Sequence, residues 1–427
     1  MARIAQGCVR SPLWHWVLIV VTFLAFALPG EAGTIEEIRS RGVLRVGMSG
    51  DYQPFSLCTA DFTACHGFDV EVARRVAADL GVQLSLIQFR WPDLRTNLTE
   101  EKFDIAMSGV TVRPERVLAA TFTQPYALSG AVVLVADATT LSTLTAVDRP
   151  QVRLAVNAGG HLEQVARTYF PAATILPTAK NLSLPAMVNQ QQADALLTDS
   201  LEASHFLAAA PTLHALPPFG VDRKAYLLRR HDVAVREWLD RWLQERETDG
   251  WLPTLRVRWF GKNTTVTPHH LALLLTLLDV RLALMPAIAD YKRRHDLPIE
   301  DVQQEKAVLE RVAMQARAHG GKVAALQQFF QVQIELAKKV QLAVVQEQPP
   351  KSSVSTWGQT LDLKSHLRPA LQELGDRIIL EADRQRSMLR ERGFVEGAVE
   401  REITSPYLSA QDKRQLAEAL WRISQDK

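Results

Sequence analysis

A chain of 427 residues with 49 Lys and Arg against 47 Asp and Glu carries a net charge of +2. That balance leaves no footprint for nucleic acid or for a polybasic membrane contact, so any cationic site has to be built locally by the fold. The length implies two or three domains and ample core.

Residues 1–32 have the layout of a secretory signal peptide: Arg3 and Arg10, an apolar run from Trp14 to Leu28, then small residues around Gly30 and Ala32. A retained membrane anchor is the alternative, although the run is short for a span. Cys8 precedes the run and would leave with the signal, giving a mature protein in the periplasm with no membrane attachment. Two cysteines then remain, Cys58 and Cys65, seven apart. In an oxidising compartment they are expected to close a small disulfide loop, and no metal-ligand spacing competes with that. No metal and no cofactor is expected.

Between residues 34 and 261 short apolar runs alternate with helical ones. Strands are predicted at Val43–Met48, 84–89, 103–107, 132–135 and 152–156, and a helix at Phe68–Leu80. Alternation of this kind implies an α/β architecture with largely parallel sheets. Ser108, Gly109 and Thr111 follow a predicted strand, where amides and hydroxyls can meet a carboxylate, and Arg116 can pair with it bidentately. Asn157, Gly159 and Gly160 lie between a strand and a helical run, either as an anion-receiving helix N-terminus or as a plain turn. Tyr52, Phe55 and Trp91 offer flat surface for a ring, or simply core. In ALLTDSLEA, Thr198 or Asp199 reads as a helix N-cap, which puts Asp199 and Glu202 on one first turn. Burial and the neighbouring charge would raise the Glu202 pKa and keep it protonated, as a general acid requires. An exposed first-turn acid is the bland alternative.

The stretches GDYQPFS, GFDVEVARRVAADLG, KFDIAMSGVTVRPER, FTQPY and ALLTDSLEA resemble the periplasmic amino-acid-binding proteins. That resemblance implies the two-lobed periplasmic-binding-protein fold of solute-binding-protein family 3, with one lobe from about 34–128 and 224–262 and the other from about 129–223. The TD-x-x-EA run, Trp91-Pro92 and KAYLL from Lys224 onward resemble more closely the periplasmic cyclohexadienyl dehydratases. These dehydrate and decarboxylate prephenate to phenylpyruvate, or arogenate to phenylalanine. The resemblance implies that Glu202 protonates the departing ring hydroxyl while Arg116 and the 157–160 loop hold the carboxylates. Lys224 would add a cation. Leu162 departs from the pattern, since relatives can place a polar side chain there.

A polar link, with Thr267 and Pro268 as a helix-starting pair, leads into an all-α segment from 268 to 427. Arg281 and Lys292 are eleven apart, which returns to within about 20° of the same helical face. Leu282, Leu284, Met285 and Ile288 would bury that face, and two buried cations persist only opposite anions. Without carboxylate partners in the chain, the anion is a ligand. Gln333, Ala337 and Gln341 repeat at four-residue steps on a second helix, and Arg368 lies beside a third apolar stripe. Pro286 is expected to kink its helix, Gly320-Gly321 and Pro349-Pro350 to end the next two. A long periodic run follows over 359–392, then a short helix over 405–427; His269, His270 and His295 read as surface residues.

Arg281 to Lys292, then LPIED, then FFQVQIELAKKVQ resembles the secreted gamma-type chorismate mutases over roughly residues 271–380. The resemblance implies that Arg281 and Arg368 hold the two carboxylates of chorismate. Lys292 and Gln341 would donate to the ether oxygen, and Glu305 would meet the ring hydroxyl. Gln304 stands where many relatives carry Arg. Taken together, the expectation is a bifunctional enzyme of phenylalanine biosynthesis whose partners are small molecules, chorismate and prephenate. Oligomeric state is left open, a homo-oligomer included. The alternative is a transport receptor or sensor with a helical oligomerisation tail.

Overall fold

The computed structural model describes residues 35–262, 270–319, 321–347 and 361–425. The expected signal segment, Thr267-Pro268, His269, Gly320 and Pro349-Pro350 lie outside the described residues.

Leu44, Val46 and Met48 are fully buried along Val43–Met48, one of the three interior strands of a five-stranded sheet. It pairs in parallel with Gln83–Gln88 on one side and Ile105–Ala106 on the other. The intervening helix, Phe68–Leu80, buries Phe68, Val72, Ala73 and Val76 and stops where Gly81 takes a left-handed φ of 72°. Only Ile105–Ala106 of the expected 103–107 strand is regular, since its flanks reach Val43–Met48 through the single bonds of Asp104 N and Met107 N. Leu227–Arg229 and Ala120–Phe122 complete the sheet in antiparallel sense. A small three-stranded sheet carries Tyr52, and the Cys58–Cys65 disulfide ties its middle strand to an outer one.

The second lobe is a six-stranded sheet around Arg153–Asn157, Ala195–Asp199 and Ala127–Ala136. Two strands lead from lobe to lobe side by side, with Ala127 opposite Lys224, Leu128 opposite Arg223 and Ser129 opposite Asp222. Their alternating side chains therefore serve different neighbours.

In the helical half, Ala272–Ala283 and Met285–Arg294 meet at Leu284, because Pro286 in the first turn of the second helix cannot continue the ladder. Val323–Gln346 is the central helix and packs on Met285–Arg294, Val302–Ala318 and Ala410–Gln425. The expected long run over 359–392 is instead a wide turn, Leu363–Leu367, capped by Asp362, and a helix Arg368–Arg384 opened by Pro369. Arg392–Glu402 follows as a separate helix.

The two halves are not beads on a string. Leu118, Phe122 and Leu227 of the first lobe share one continuous core with Leu274, Leu278 and Leu374 of the helices. Arg223, pointing away from the cleft, donates to Asp279 at 3.1 Å and to the Glu402 carbonyl, and Thr404 N donates to the same Asp279 at 2.7 Å. Breaking a buried pair strands the remaining charge. Asp279→Ala is expected to cost about 3 kcal/mol, measured as a lower urea midpoint; a cost below about 1 kcal/mol would mean that the pair merely rests on a contact made by the apolar surface.

Candidate active sites

The helical half encloses a cavity of about 140 Å³ between the helices that carry Arg281, Lys292, Glu305, Gln341 and Arg368. Arg281 is buried; one Nη donates to the Leu371 carbonyl at 3.3 Å, and its Nε has no hydrogen-bond partner. Among the described residues it makes no ion pair, and burial alone lowers its pKa to about 10. Its guanidinium lies 5.9 Å from the Phe330 ring centre. Lys292 donates to the Ile299 carbonyl at 2.6 Å, and burial lowers its pKa as well. Arg368 pairs loosely with Asp301 at 3.3 Å, and Glu305 accepts from Lys338 at 3.3 Å. Gln341 donates to the Ala337 carbonyl at 3.2 Å and leaves its Oε1 buried without a partner. A half-turn of that amide exchanges donor for acceptor without moving the helix.

Gln304 and Ala337 also line the cavity, whereas Gln333 does not. The walls contributed by the central helix are Phe330, Ile334, Ala337, Lys338 and Gln341, the three-four spacing of a single helical face. Two consecutive steps of four residues drift by about 80°, which carries Gln333 off that face into the packed core, where its Nε2 is unpartnered. Sequence reasoning missed Arg311, held by Asp376 at 2.9 Å, and Lys338. Lys338 was legible beside Ala337; Arg311 needed the helix crossing. Five cations thus line the cavity against three carboxylates, an excess of two positive charges in an otherwise apolar chamber.

In the first half the lobes are closed on a cavity of about 30 Å³, room for a water or two. Tyr52, Trp91, Gly109, Thr111, Asn157, Gly160, Leu162 and Lys224 are on its wall, with His161, Asn181 and Asp222, which the sequence reading did not single out. Lys224 is buried between Asp222 at 2.7 Å and Asp199 at 3.1 Å, and donates to the Tyr52 hydroxyl at 2.9 Å. Tyr52 in turn donates to Asp199. Asp199 is the last residue of a strand rather than a helix N-cap, and its Oδ1 accepts from the amides of Leu201 and Glu202 at 2.8 and 2.9 Å. Both of its oxygens are therefore engaged within the chain. His161, first residue of its helix, is kept neutral by burial, its pKa lowered to about 4.

Glu202 is fully buried behind this wall. Asn181 donates to its Oε1 at 2.6 Å and to the Asp51 carbonyl of the other lobe at 3.0 Å, while Thr198 donates to its Oε2 at 2.7 Å. Burial first, then the charge of Asp199, pushes its pKa well above the carboxylate range despite those two donors. The local environment is that of a protonated carboxyl.

Several expected anion ligands have other employment. Ser108 is buried among Ser49 and Ser56, and the Gly109 amide donates to Asp69 at 2.6 Å. Gly109 is at φ +60°, and a Cβ there would lie 2.6 Å from the Phe55 ring, so the residue is an approach point for packing. Phe55 itself is core, packed at tilted and edge-on angles among Tyr52, Tyr126 and Phe260. Burial pushes Asp69 up to about 7 against the pull of Gly109, Tyr126 and Tyr226. Arg116 and Gly159 line an adjoining cavity, where Arg116 donates to the Thr111 carbonyl at 2.8 Å and sits 5.7 Å from the Trp91 ring centre. Arg113, not singled out from sequence, reaches across to the Gly160 carbonyl at 3.4 Å.

A family model, bacterial extracellular solute-binding proteins, family 3, matches residues 44–262. The chain belongs to that family. A second model, chorismate mutase type II, matches residues 272–342, the helices that build most of the cationic chamber. Cyclohexadienyl dehydratase of Pseudomonas aeruginosa is 36% identical over 248 residues, which is 57% of this chain and 92% of that protein. The L-cystine-binding protein TcyJ of Escherichia coli is 27% identical over 55% of this chain and 89% of its own. Among solved structures, an ancestral amino-acid-binding protein described as a precursor of cyclohexadienyl dehydratase aligns with a TM-score of 0.50 at 32% identity. It covers 53% of this chain and 99% of that one. This family-3 protein thus carries a chorismate mutase domain behind its two lobes.

A buried guanidinium with no carboxylate costs the apo fold its hydration. Arg281→Met is therefore expected to stabilise the family-3 protein's helical half by about 1 kcal/mol while abolishing anion binding there. Thermal unfolding checks it: a lowered midpoint would show that Arg281 serves the fold.

Proposed function

We propose that the helical chamber rearranges chorismate to prephenate and that the two-lobed half then converts prephenate to phenylpyruvate, with release of carbon dioxide and water, in the periplasm. The observation that carries the reading is the unpaired, buried Arg281 within a chamber that has two positive charges in excess. Chorismate is a dianion. Its rearrangement forms one carbon–carbon bond as the ether bond breaks and calls for no nucleophile or base, only a compact pose and stabilised charge on one oxygen. Arg281 and Arg368 would take the carboxylates, Lys292 and a turned Gln341 the ether oxygen, Glu305 the hydroxyl.

In the second step Glu202 gives its proton to the ring hydroxyl, which leaves as water. The ring carboxylate departs as carbon dioxide, its bonding electrons aromatise the ring, and solvent reprotonates Glu202. The closed cavity is too small for the ring, so substrate is admitted as the lobes part and Asn181 releases Asp51. A transport receptor for amino acids would need Asp199 to meet a ligand's ammonium. Here the chain's own Lys224 holds that carboxylate.

The test is optical. Purified protein given chorismate should yield phenylpyruvate, read by its absorbance in alkali. Arg281→Ala should slow chorismate consumption by about 10²–10³-fold with added prephenate still dehydrated, and Glu202→Gln should do the converse. Equal loss of both activities in either variant would sink the two-site reading. Because the protonated acid is the working form, dehydration should fall as pH rises through the raised pKa of Glu202. A rate that rises over that range would assign the proton to another group.

A further inference from the structure

The charges on the wall of the helical chamber are sorted by depth. Arg281 and Lys292 are buried, donate to backbone carbonyls and make no ion pair among the described residues. The other three cations stand nearer to solvent, and each holds one of the three acids: Arg368 with Asp301, Arg311 with Asp376 and Lys338 with Glu305, all with side chains between 18% and 41% exposed. An acid that changed partners would cancel one of the two inner charges, so the inner pair stays unanswered only as long as each rim acid is held where it is.

Two of the three acids are held firmly. Arg311 grips Asp376 through two bonds, at 2.9 and 2.5 Å. Asp301 spends its Oδ1 as the N-cap of its helix, accepting from the Gln304 amide at 3.0 Å. Glu305 differs: its carboxylate has Lys338 as its sole hydrogen-bond partner among the described residues, at 3.3 Å. It is also within electrostatic reach of the inner pair, because burial lowers the Lys292 pKa and the charges of Asp301 and Glu305 work against that shift. The central helix places Lys338 on the chamber wall beside Ala337, three residues before Gln341. Glu335 at 3.2 Å and Glu300 at 3.7 Å, exposed acids that do not line the chamber, anchor its ammonium from the outer side.

Resting on the chorismate rearrangement proposed above for this chamber, we propose that Lys338 is a positioning residue for it: it keeps Glu305 at the rim, to meet the substrate hydroxyl, and off Lys292, which stays free for the ether oxygen. Without Lys338 the Glu305 carboxylate turns inward to the nearest unanswered cation. A dianion entering the chamber then has to displace it.

In the full-length protein, Lys338→Met should raise the KM for chorismate about five-fold, because the freed carboxylate competes with substrate, and Lys338→Arg should recover most of the loss. The double variant decides how Lys338 acts. Glu305→Gln keeps an acceptor for the hydroxyl but has no charge to turn inward, so adding Lys338→Met to it should leave KM where Glu305→Gln alone puts it. A KM unmoved by Lys338→Met overturns the proposal. So does a full five-fold rise in the Glu305→Gln background, which would mean that Lys338 acts on the substrate directly, and an effect that Lys338→Arg does not recover, which would give the residue to packing. Wild-type protein that consumes no chorismate at all would remove the underlying reading instead, and this role with it.

Discussion

The arrangement of the helical half follows from one unfavourable placement, a guanidinium taken out of water with no carboxylate beside it. Arg281 donates to one backbone carbonyl and lies near the face of Phe330, which leaves most of its charge unanswered. Every helix that walls the chamber contributes to keeping it so: apolar Met285, Ile288, Ile334 and Leu371 exclude water, and the three carboxylates present are committed elsewhere, to Lys338, Arg368 and Arg311. A fold that bears such a cost in its empty state is preorganised for an anion, and the free energy returns when the anion binds.

The two-lobed half works from the opposite sign. Its cleft interior is a buried lysine between two aspartates, so these charges are satisfied within the chain. Closing the lobes places Glu202 beneath a neutral lining, where desolvation and Asp199 hold its proton. Arg95, Arg113 and Arg116 line the adjoining cavity, with Arg113 reaching across to the Gly160 carbonyl of the second lobe. The two domains thus differ in electrostatic character, one chamber lined by cations in excess and the other closed over a carboxyl whose pKa is raised.

Docking of the helices on the first lobe joins these environments. Arg223 and Lys224 are consecutive on a crossover strand, so strand alternation turns one to Asp279 and the other into the cleft. Asp279 is two residues ahead of Arg281 on its helix. Asp279 and Arg281 thus share a helix that packs on the first lobe, within one core drawn from both halves.

Periodicity and composition determined the order of the architecture: the α/β half, the break at Pro286, the face shared by Arg281 and Lys292, and the pairing of Cys58 with Cys65. These are local properties, governed by dihedral preference and by spacing along a single element. What only the tertiary structure decided is which polar groups were already taken. Ser108 and Gly109 follow a strand, as expected, yet Ser49 and Asp69 reach them first; Asp199 is spent on Lys224; Gln333 drifts off the helical face that Gln341 keeps. Arg311, Asn181, His161 and Arg113 gained their places from helix crossings and lobe closure. A hydrogen-bond donor or a charge acts on whatever lies within a few ångströms, and that company is assembled from residues distant in the chain, which no pattern along one element contains.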